Sequence, residues 1–461
     1  MNITAGEAAK ACDGGLPPGI DINAPIIGIS TDTREDMTGK LFIPLKGPRF
    51  DGHAFISAAY SNGATAVLSE QGGNNVIHVN STLKALADIA AYYRSGFSLP
   101  IVAVTGSVGK TTTKDLIWSV LSQKYKTLKT EGNLNNEIGL PRMIFQLDGS
   151  YTAAVLEMGM NHAGEIHNLS RIAKPDICVI TNIGVAHIEN LGSREGILAA
   201  KAEIFDYMAN DGICILNADD DLLINLANEQ RQLGRRVITF SLKGSEADVW
   251  ASDIQKHGMF GQSCVINHNN YSVQVNIPLP GVHMVSNALA AAAVGFCLGL
   301  SPVQIKAGIE TFQPSKNRMD IMQCGDIEVI NDVYNANPDS MKAAISVLTG
   351  AQNQSVAILG DMFELGERAP EMHFEIGRFA AEWGVRLLIC VGGLSLNMYN
   401  GFNRYKNDGQ EAYHFETKEE CGYVINTLLK HEDTVLVKAS RGMELEYIVE
   451  LLKHRGKTLH G

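Results

Sequence analysis

The segment Thr105-Gly106-Ser107-Val108-Gly109-Lys110-Thr111-Thr112-Thr113 limits what this chain can fold into more than any other. An apolar run at residues 101–104 leads into it, and a helical pattern at about 112–121 leads out. Strand, glycine loop, Lys-Thr and helix together describe a phosphate-binding loop in an α/β domain. Glycines let backbone N–H groups turn onto phosphate oxygens, and the helix N-terminus adds partial positive charge. Lys110 is placed to reach the terminal phosphates, and the Thr111 hydroxyl to meet Mg²⁺. The common form of the loop has a glycine where this chain has Val104, so this is a shorter Thr-Gly-x-x-Gly-Lys-Thr variant. An ordinary strand-to-helix turn is the bland alternative, and the Lys-Thr pair at the helix start argues against it.

A length of 461 residues suggests about three domains. The net charge of −12, without a long basic run, argues against nucleic acid as a partner. The eight cysteines are scattered without metal-type spacing, and most lie in apolar runs. Buried reduced thiols and a cytoplasmic setting are therefore expected. The first residues lack a basic and apolar leader pattern, so no signal peptide is expected. The longest small-apolar stretch, residues 288–300, is too short to span a bilayer and reads as a buried helix.

Residues 1–99 read as a small α/β unit with strands near 26–29, 41–45, 64–68 and 76–79 and helices near 54–61 and 83–93. Its polar clusters, residues 30–34 and 46–53, follow strands, where ligand loops lie. Solvated turns explain each cluster equally well. Residues 100–313 open with the phosphate loop. The polar, irregular segment 130–139, with Asn133, Asn135 and Asn136, can orient phosphates or substrate, or be an Asn-rich turn. Glu157 closes the apolar run 153–156, the position expected of a Mg²⁺ ligand after a phosphate loop, or else of a turn cap. His187 follows the strand 177–181. Lys201 lies among Ile197, Ala200, Ile204 and Phe205 on a helix near 194–208, on or beside its apolar face. A cation there needs a partner or a chemical change, unless it simply faces solvent. The acidic triplet 219–221 reads as a helix cap. Residues 314–461 repeat strand, polar loop and helix, the doubly wound pattern whose crevice lies at strand C-termini.

These motifs fall in one order, and that order resembles the Mur ligase family of ATP-dependent amide-forming enzymes over almost the whole chain. The segments Tyr334-Asn335-Ala336-Asn337-Pro338-Asp339-Ser340 and Gly360-Asp361-Met362-Phe363-Glu364-Leu365-Gly366 are similar to those of one member. That member joins D-alanyl-D-alanine to UDP-N-acetylmuramoyl-tripeptide. The Asp-Asn-Pro-Arg motif of the sister that adds the third residue is absent.

The resemblance implies three domains: a small N-terminal α/β domain (1–99) for the UDP-sugar peptide, a central P-loop mononucleotide-binding α/β domain (100–313), and a C-terminal Rossmann-like doubly wound domain (314–461) for the amine substrate. It further implies ATP contacts by Gly106, Ser107, Val108, Gly109, Lys110, Thr111 and Thr112. Asn287 belongs at the adenine, Asp332 at the ribose and Arg318 at the γ-phosphate. Two Mg²⁺ ions fall to Thr111, Glu157, His187 and a carbamylated Lys201. Catalysis rests on Lys110, Lys201, His187 and Arg318. Ser30, Asp32, Arg34, Asp51 and His53 face the uridine end of the substrate, Asn133, Asn135 and Asn136 the substrate near the nucleotide, and Asn335 and Asn337 the dipeptide. The expected partners are these small molecules alone, with no nucleic acid, no membrane insertion and a monomeric chain. The rival readings are a sister ligase adding one amino acid, a folylpolyglutamate-type ligase, a P-loop kinase and a nucleotide-gated scaffold.

Overall fold

The computed structural model describes residues 1–455 except Asn2, Arg49, Ser245 and Gln352. The chain divides into two compact units that interleave along the sequence. The first comprises residues 1–105, 125–179 and 202–213. The second comprises 106–124, 180–201 and 214–461.

The first unit holds a four-stranded sheet in the order Gly28–Ser30, Lys40–Phe42, Ala66–Ser69, Ile77–His78, with every neighbouring pair parallel. Its small core gathers Met37, Phe42, Ala59, Val67 and Val76. Ser81 caps the helix Thr82–Ser95 by accepting from Lys84 N. That helix is tied to the helix Glu165–Ala173 through Arg171, which donates to Asp88 Oδ1 at 2.7 Å, and Arg94, which donates to Ala173 O at 2.9 Å. The same unit holds the strands Thr127–Lys129, Ala153–Glu157 and Ile101–Thr105, adjacent and parallel in that order. Residues 101–104 and 153–156 are wholly buried, as expected of parallel strands covered on both faces. The register sets Glu157 opposite Val104, so the carboxylate emerges at the C-terminal edge of the sheet beside the start of the glycine loop.

In the second unit the helix Lys110–Leu121 packs against Val282–Cys297 and Pro302–Glu310, and Ser119 Oγ donates to Gly308 O at 2.6 Å. The alanine-rich stretch is indeed a buried helix. Asp220 caps the helix Asp221–Gln232 by accepting from Leu222 N and Leu223 N, as the acidic triplet suggested. A separate sheet runs Asp320–Cys324, Ile327–Asn331, Thr434–Lys438, Ser355–Gly360, Leu387–Val391, Glu411–Phe415. Its first pair is antiparallel and the rest are parallel. Side-chain alternation splits this sheet between two cores. Ala357, Leu359 and Leu388 meet the helices Pro338–Leu348, Ala369–Glu382 and Leu396–Tyr405 on one face. Val356, Ile358 and Ile389 meet Lys418–Leu428 and Glu446–Lys453 on the other.

The strand Thr434–Lys438 sends its helix to one face while both its neighbours send theirs to the opposite face. The order therefore reverses at its two sides, and loops that leave these strands open onto a crevice.

The strand expected near 26–29 is two, Pro25–Ile26 paired antiparallel with Ile3–Thr4 and Gly28–Ser30 in the four-stranded sheet, and two further elements depart from the sequence expectation. The helix near 194–208 is regular only over Arg194–Ala202 and then tightens to a 3₁₀ turn at Glu203–Phe205. There Glu203 turns away to accept from Gly164 N and His167 N, capping another helix. The antiparallel strand Asp320–Cys324 carries little apolar alternation and was not anticipated. All eight cysteines are free thiols, seven of them buried. Burial pushes the pKa of Cys12, Cys214, Cys390 and Cys421 up, and that of Cys264 to about 12.

Candidate active site at the phosphate loop and the strand ends

The glycine loop is built around two positions that exclude a side chain. Gly106 has φ +150°, and a Cβ there would lie 1.9 Å from Thr181 Oγ1. Gly109 has φ +83°, and a Cβ there would lie 3.0 Å from Asn287 Oδ1. The helix Lys110–Leu121 starts directly after Gly109, which puts Lys110, Thr111 and Thr112 in its first turn. Their amides have no acceptor within their own helix and suit an anion. The expected amides of Ser107 and Val108 are engaged otherwise. Ser107 N donates to Asn182 O at 3.0 Å. Val108 N donates to Asn182 Oδ1 at 2.9 Å, while Asn182 Nδ2 donates back to Val108 O at 2.9 Å. Thr181 Oγ1 also donates to Val108 O, and Gly184 N to Ser107 Oγ. Asn182 thus fixes the loop's shape with one side chain. The sequence offered no signal for it beyond its place in the loop that carries His187.

Lys110 Nζ donates to Gly106 O at 2.8 Å, and Lys201 Nζ reaches the same carbonyl at 3.1 Å. Lys201 is 1% exposed. Among the described residues no carboxylate lies within ion-pair distance of it. Burial drives its pKa well below the usual lysine value, and the charge of Lys110 adds to this. The periodicity that put Lys201 on the apolar face is therefore correct, and the solvent-facing alternative is not.

Glu157 is 2% exposed. Asn135 Nδ2 holds its Oε1 at 2.8 Å, and Glu157 N donates to Thr130 Oγ1. Glu157 Oε2 is buried with no hydrogen-bond partner among the described residues. A bare, buried carboxylate oxygen suits a hard divalent cation. Asn135 touches this carboxylate, which makes it a group that orients Glu157. Among the described residues no three His, Cys, Asp or Glu side chains cluster as a protein-only metal cage.

His187 adopts φ +64° and Glu364 φ +63°, uncommon for residues with a side chain. His187 Nδ1 lies 2.8 Å from Glu364 Oε2. That contact, with the charges of His187 and Lys110, holds the Glu364 carboxyl below the usual range. The two groups are within ion-pair distance without a well-aligned hydrogen bond on Nδ1, and a carboxylate beside one ring nitrogen is an arrangement common behind metal-binding histidines.

At the C-terminal strand ends, Lys438 is 3% exposed and ties two loops together. Its Nζ lies 2.5 Å from Asp332 Oδ2 and donates to Asn335 O at 2.9 Å. Asp332 Oδ1 also accepts from Met319 N at 3.2 Å. Asn337 caps the helix Pro338–Leu348 by accepting from Ser340 N at 2.9 Å, and Asn335 Oδ1 accepts from Ala336 N. Asp361 accepts from Ser395 N, which makes part of the 360–366 motif structural. Asn287 Oδ1 accepts from Thr113 Oγ1 at 3.2 Å, beside Gly109. The Arg318 guanidinium lies 3.9 Å from the Tyr334 ring centroid. Lys438 and Glu364 stand with Asn182 as residues that sequence reasoning gave no role.

The loops expected at the uridine end are largely satisfied among themselves. Arg34 grips Asp32 through Nε and NH2 and holds its pKa down to about 2. Ser30 Oγ donates to Glu35 Oε2. His53 Nδ1 lies 2.6 Å from Asp51 Oδ1, and its Nε2 accepts from Glu70 N at 3.1 Å. Asn136 Oδ1 accepts from Gly139 N at 2.8 Å, so it caps the helix Gly139–Ile144, while Asn133 is exposed. Arg49, in the second of these clusters, lies outside the described residues.

Comparison with known proteins agrees with this geometry. Three family models match in succession: the Mur ligase family catalytic domain at residues 25–94, the Mur ligase middle domain at 104–295, and the Mur ligase glutamate ligase domain at 317–441. The UDP-N-acetylmuramoyl-tripeptide–D-alanyl-D-alanine ligase of Bacillus subtilis (strain 168) is 37% identical, over 92% of this chain and 93% of that one. A crystal structure of MurF from Acinetobacter baumannii superposes with a TM-score of 0.90 at 32% identity, covering 98% of this chain and 99% of the other. MurF from Thermotoga maritima in complex with ADP gives 0.83 at 27% identity, covering 94% of this chain and 98% of the other. With the glycine loop, the buried lysine and the doubly wound strand ends in place, the chain belongs to the Mur ligase family.

Proposed function

We propose that this chain is a cytoplasmic, monomeric ATP-dependent ligase that joins D-alanyl-D-alanine to UDP-N-acetylmuramoyl-tripeptide, giving the pentapeptide, ADP and phosphate. The observation that carries the ligase chemistry is the pair of lysines on one carbonyl: Lys110 and Lys201 both reach Gly106 O. A phosphoryl-transfer loop needs the first. The second is buried and pushed toward its neutral form, the form that adds CO₂ to give a carbamate and release a proton. The relatives' names support the choice of substrates, and the ADP complex of the Thermotoga maritima protein supports ATP.

A carboxylate does not react with an amine directly. Here the tripeptide carboxylate attacks the γ-phosphorus and ADP leaves. The dipeptide amine then attacks the resulting acyl phosphate, phosphate leaves, and one proton is released. Lys110 and Arg318 offset the repulsion between two anions meeting in line, and positioning provides the rest of the rate. Thr111, Glu157, His187 and a carbamylated Lys201 are the residues that would hold two Mg²⁺ ions, which when bound neutralise phosphate charge. Glu157 Oε2 and the carboxylate-backed His187 fit that use. Gly106 to Thr112 bind the phosphates, Asn287 the adenine and Asp332 the ribose. Ser30, Asp32, Arg34, Asp51 and His53 take the uridine end. Asn133, Asn135 and Asn136 line the substrate near the nucleotide, Asn135 acting through Glu157, and Asn335 and Asn337 face the dipeptide. We place the three domains at 1–99, 100–313 and 314–461.

The test is phosphate release together with mass spectrometry of the product. Release should require ATP, the UDP-linked tripeptide and D-alanyl-D-alanine together, and the product mass should equal tripeptide plus dipeptide minus water. Release with neither acceptor present, or a stable phosphorylated product, would overturn the reading.

A further inference from the structure

Two guanidinium groups share the ring of Tyr334. Arg318 Cζ lies 3.9 Å from the ring centroid and Arg441 Cζ 5.1 Å. Among the described residues neither has a carboxylate within ion-pair distance, although acids outnumber bases by 50 to 38 in this chain. The aromatic face between them accommodates both charges. Their place in the fold is specific. Tyr334 follows the strand Ile327–Asn331 and Arg441 follows Thr434–Lys438, and these strands pair in parallel with Asn331 opposite Val437. The sheet order reverses at that strand, and Lys438 binds the two loops to each other.

The third loop at this crevice supplies an apolar wall. Phe363 N donates to Ser440 Oγ at 2.9 Å. A Cβ on Gly442 would lie 2.9 Å from the Phe363 ring, so the backbone that carries Arg441 rests against that ring. Phe363 remains 43% exposed.

We propose that Arg441 binds the free carboxylate of the incoming amine substrate, with Phe363 beside its methyl groups. This rests on the ligase reading above. The planar guanidinium offers two parallel N–H groups that match the two oxygens of a carboxylate. A phosphate would accept the same donors but has no use for the aromatic wall next to them. Arg318 is left for the transferring phosphoryl group, so each of the two anions brought together on this side has its own cation. Arg441 is then a specificity residue for the amine substrate.

The experiment compares D-alanyl-D-alanine with D-alanyl-D-alaninamide, which keeps the amine and loses the carboxylate, in the phosphate-release assay. The unaltered enzyme should prefer the acid by about 30-fold in kcat/KM. Arg441→Gln should erase most of that preference by raising KM for the acid, leave the amide unchanged, and leave KM for ATP unchanged. Arg441→Lys should keep part of the preference. A raised KM for ATP with the acid-to-amide ratio intact would overturn the proposal. So would equal use of acid and amide by the unaltered enzyme, a measurement that needs no variant to fold. Absence of turnover with either dipeptide by the unaltered enzyme would instead sink the ligase reading, and this proposal with it.

Discussion

The loops at residues 30–53 and the residues proposed for the phosphates, the metal ions and the amine substrate handle polarity in opposite ways. In the first, each charged or polar side chain finds a partner close by: Arg34 on Asp32, Ser30 on Glu35, His53 between Asp51 and Glu70 N. In the second, polar groups are left short of partners. Among the described residues, the buried Lys201 meets a carbonyl and no carboxylate, the buried Glu157 Oε2 has no hydrogen-bond partner, and the more open Arg318 and Arg441 stack on one ring without a carboxylate in ion-pair distance. Unmet polarity is costly, so it persists where a ligand completes it. Satisfied polarity stabilises the fold and meets a ligand only through what remains exposed. The contrast predicts that substitutions in the second set cost activity and little stability, while those in the first cost stability and little chemistry.

The largest effects should come from the lysines. Lys110→Ala should lower turnover by at least about 10³-fold while the melting temperature stays unchanged by calorimetry. Near-native turnover would end the phosphate-loop assignment. Lys201→Ala should be as inactive and should regain part of its turnover with added formate or acetate. Lys201→Met should be inactive yet melt at the same or a higher temperature, because it replaces a buried polar amine, with no carboxylate within ion-pair distance among the described residues, by an apolar chain of similar size. A clear drop in melting temperature for the methionine variant would break the contrast at its centre.

Asn182→Ala comes next. It releases Val108 N, removes one of the two donors to Val108 O and should reduce kcat/KM for ATP by about 10²-fold with the amine-substrate KM unmoved. Loss confined to the amine substrate would remove Asn182 from the phosphate loop's support.

His53→Ala tests the other side. It leaves Glu70 N without its acceptor and should cost about 1–3 kcal/mol of stability, visible as a lower denaturant midpoint. The folded fraction should retain most of its turnover at saturating substrate. Lost turnover with an unchanged midpoint would show that these loops are not self-sufficient.

The smallest effect concerns pH. His373 is wholly buried, its Nδ1 is 2.6 Å from Ala369 O, and its Nε2 accepts from Met362 N. Burial holds its pKa below the ordinary value of 6.5. The unfolded chain therefore takes up a proton as pH falls through about 6.5 while the folded chain does not. Stability is full above that pH and declines below it. His373→Gln should flatten this decline in melting temperature between pH 7 and 5, and an unaltered slope would mean that other groups set it.

The fold was legible where one period ran unbroken. The apolar runs at 101–104, 153–156 and 387–391 became buried parallel strands, and the alanine-rich stretch became the helix Val282–Cys297. The strand Asp320–Cys324 was not, because an edge strand half open to water shows no hydrophobic period. In the site, Lys201 could be singled out because a cation among Ile197, Ala200 and Ile204 breaks a pattern. Asn182, Lys438 and Glu364 break none. An Asn after a strand, a Lys at a strand end and a Glu in a polar loop are ordinary in sequence and acquire meaning only from partners more than 70 residues away. Asn337 and Asn136 illustrate the converse: residues marked for substrate also serve as helix caps, a local use that the sequence signals equally well.

Lys438 has one further consequence. Its ammonium clasps the Asp332 carboxylate and the Asn335 carbonyl, so the single loop that carries the residues proposed for the ribose and for the dipeptide is pinned at both to the end of the strand Thr434–Lys438 and moves as one mechanical piece. A ligand that orders one end orders the other. Whatever factor ATP contributes to dipeptide affinity, the dipeptide must return to ATP. The two substrates of this ligase should therefore be measured as a thermodynamic couple, each in the presence and absence of the other.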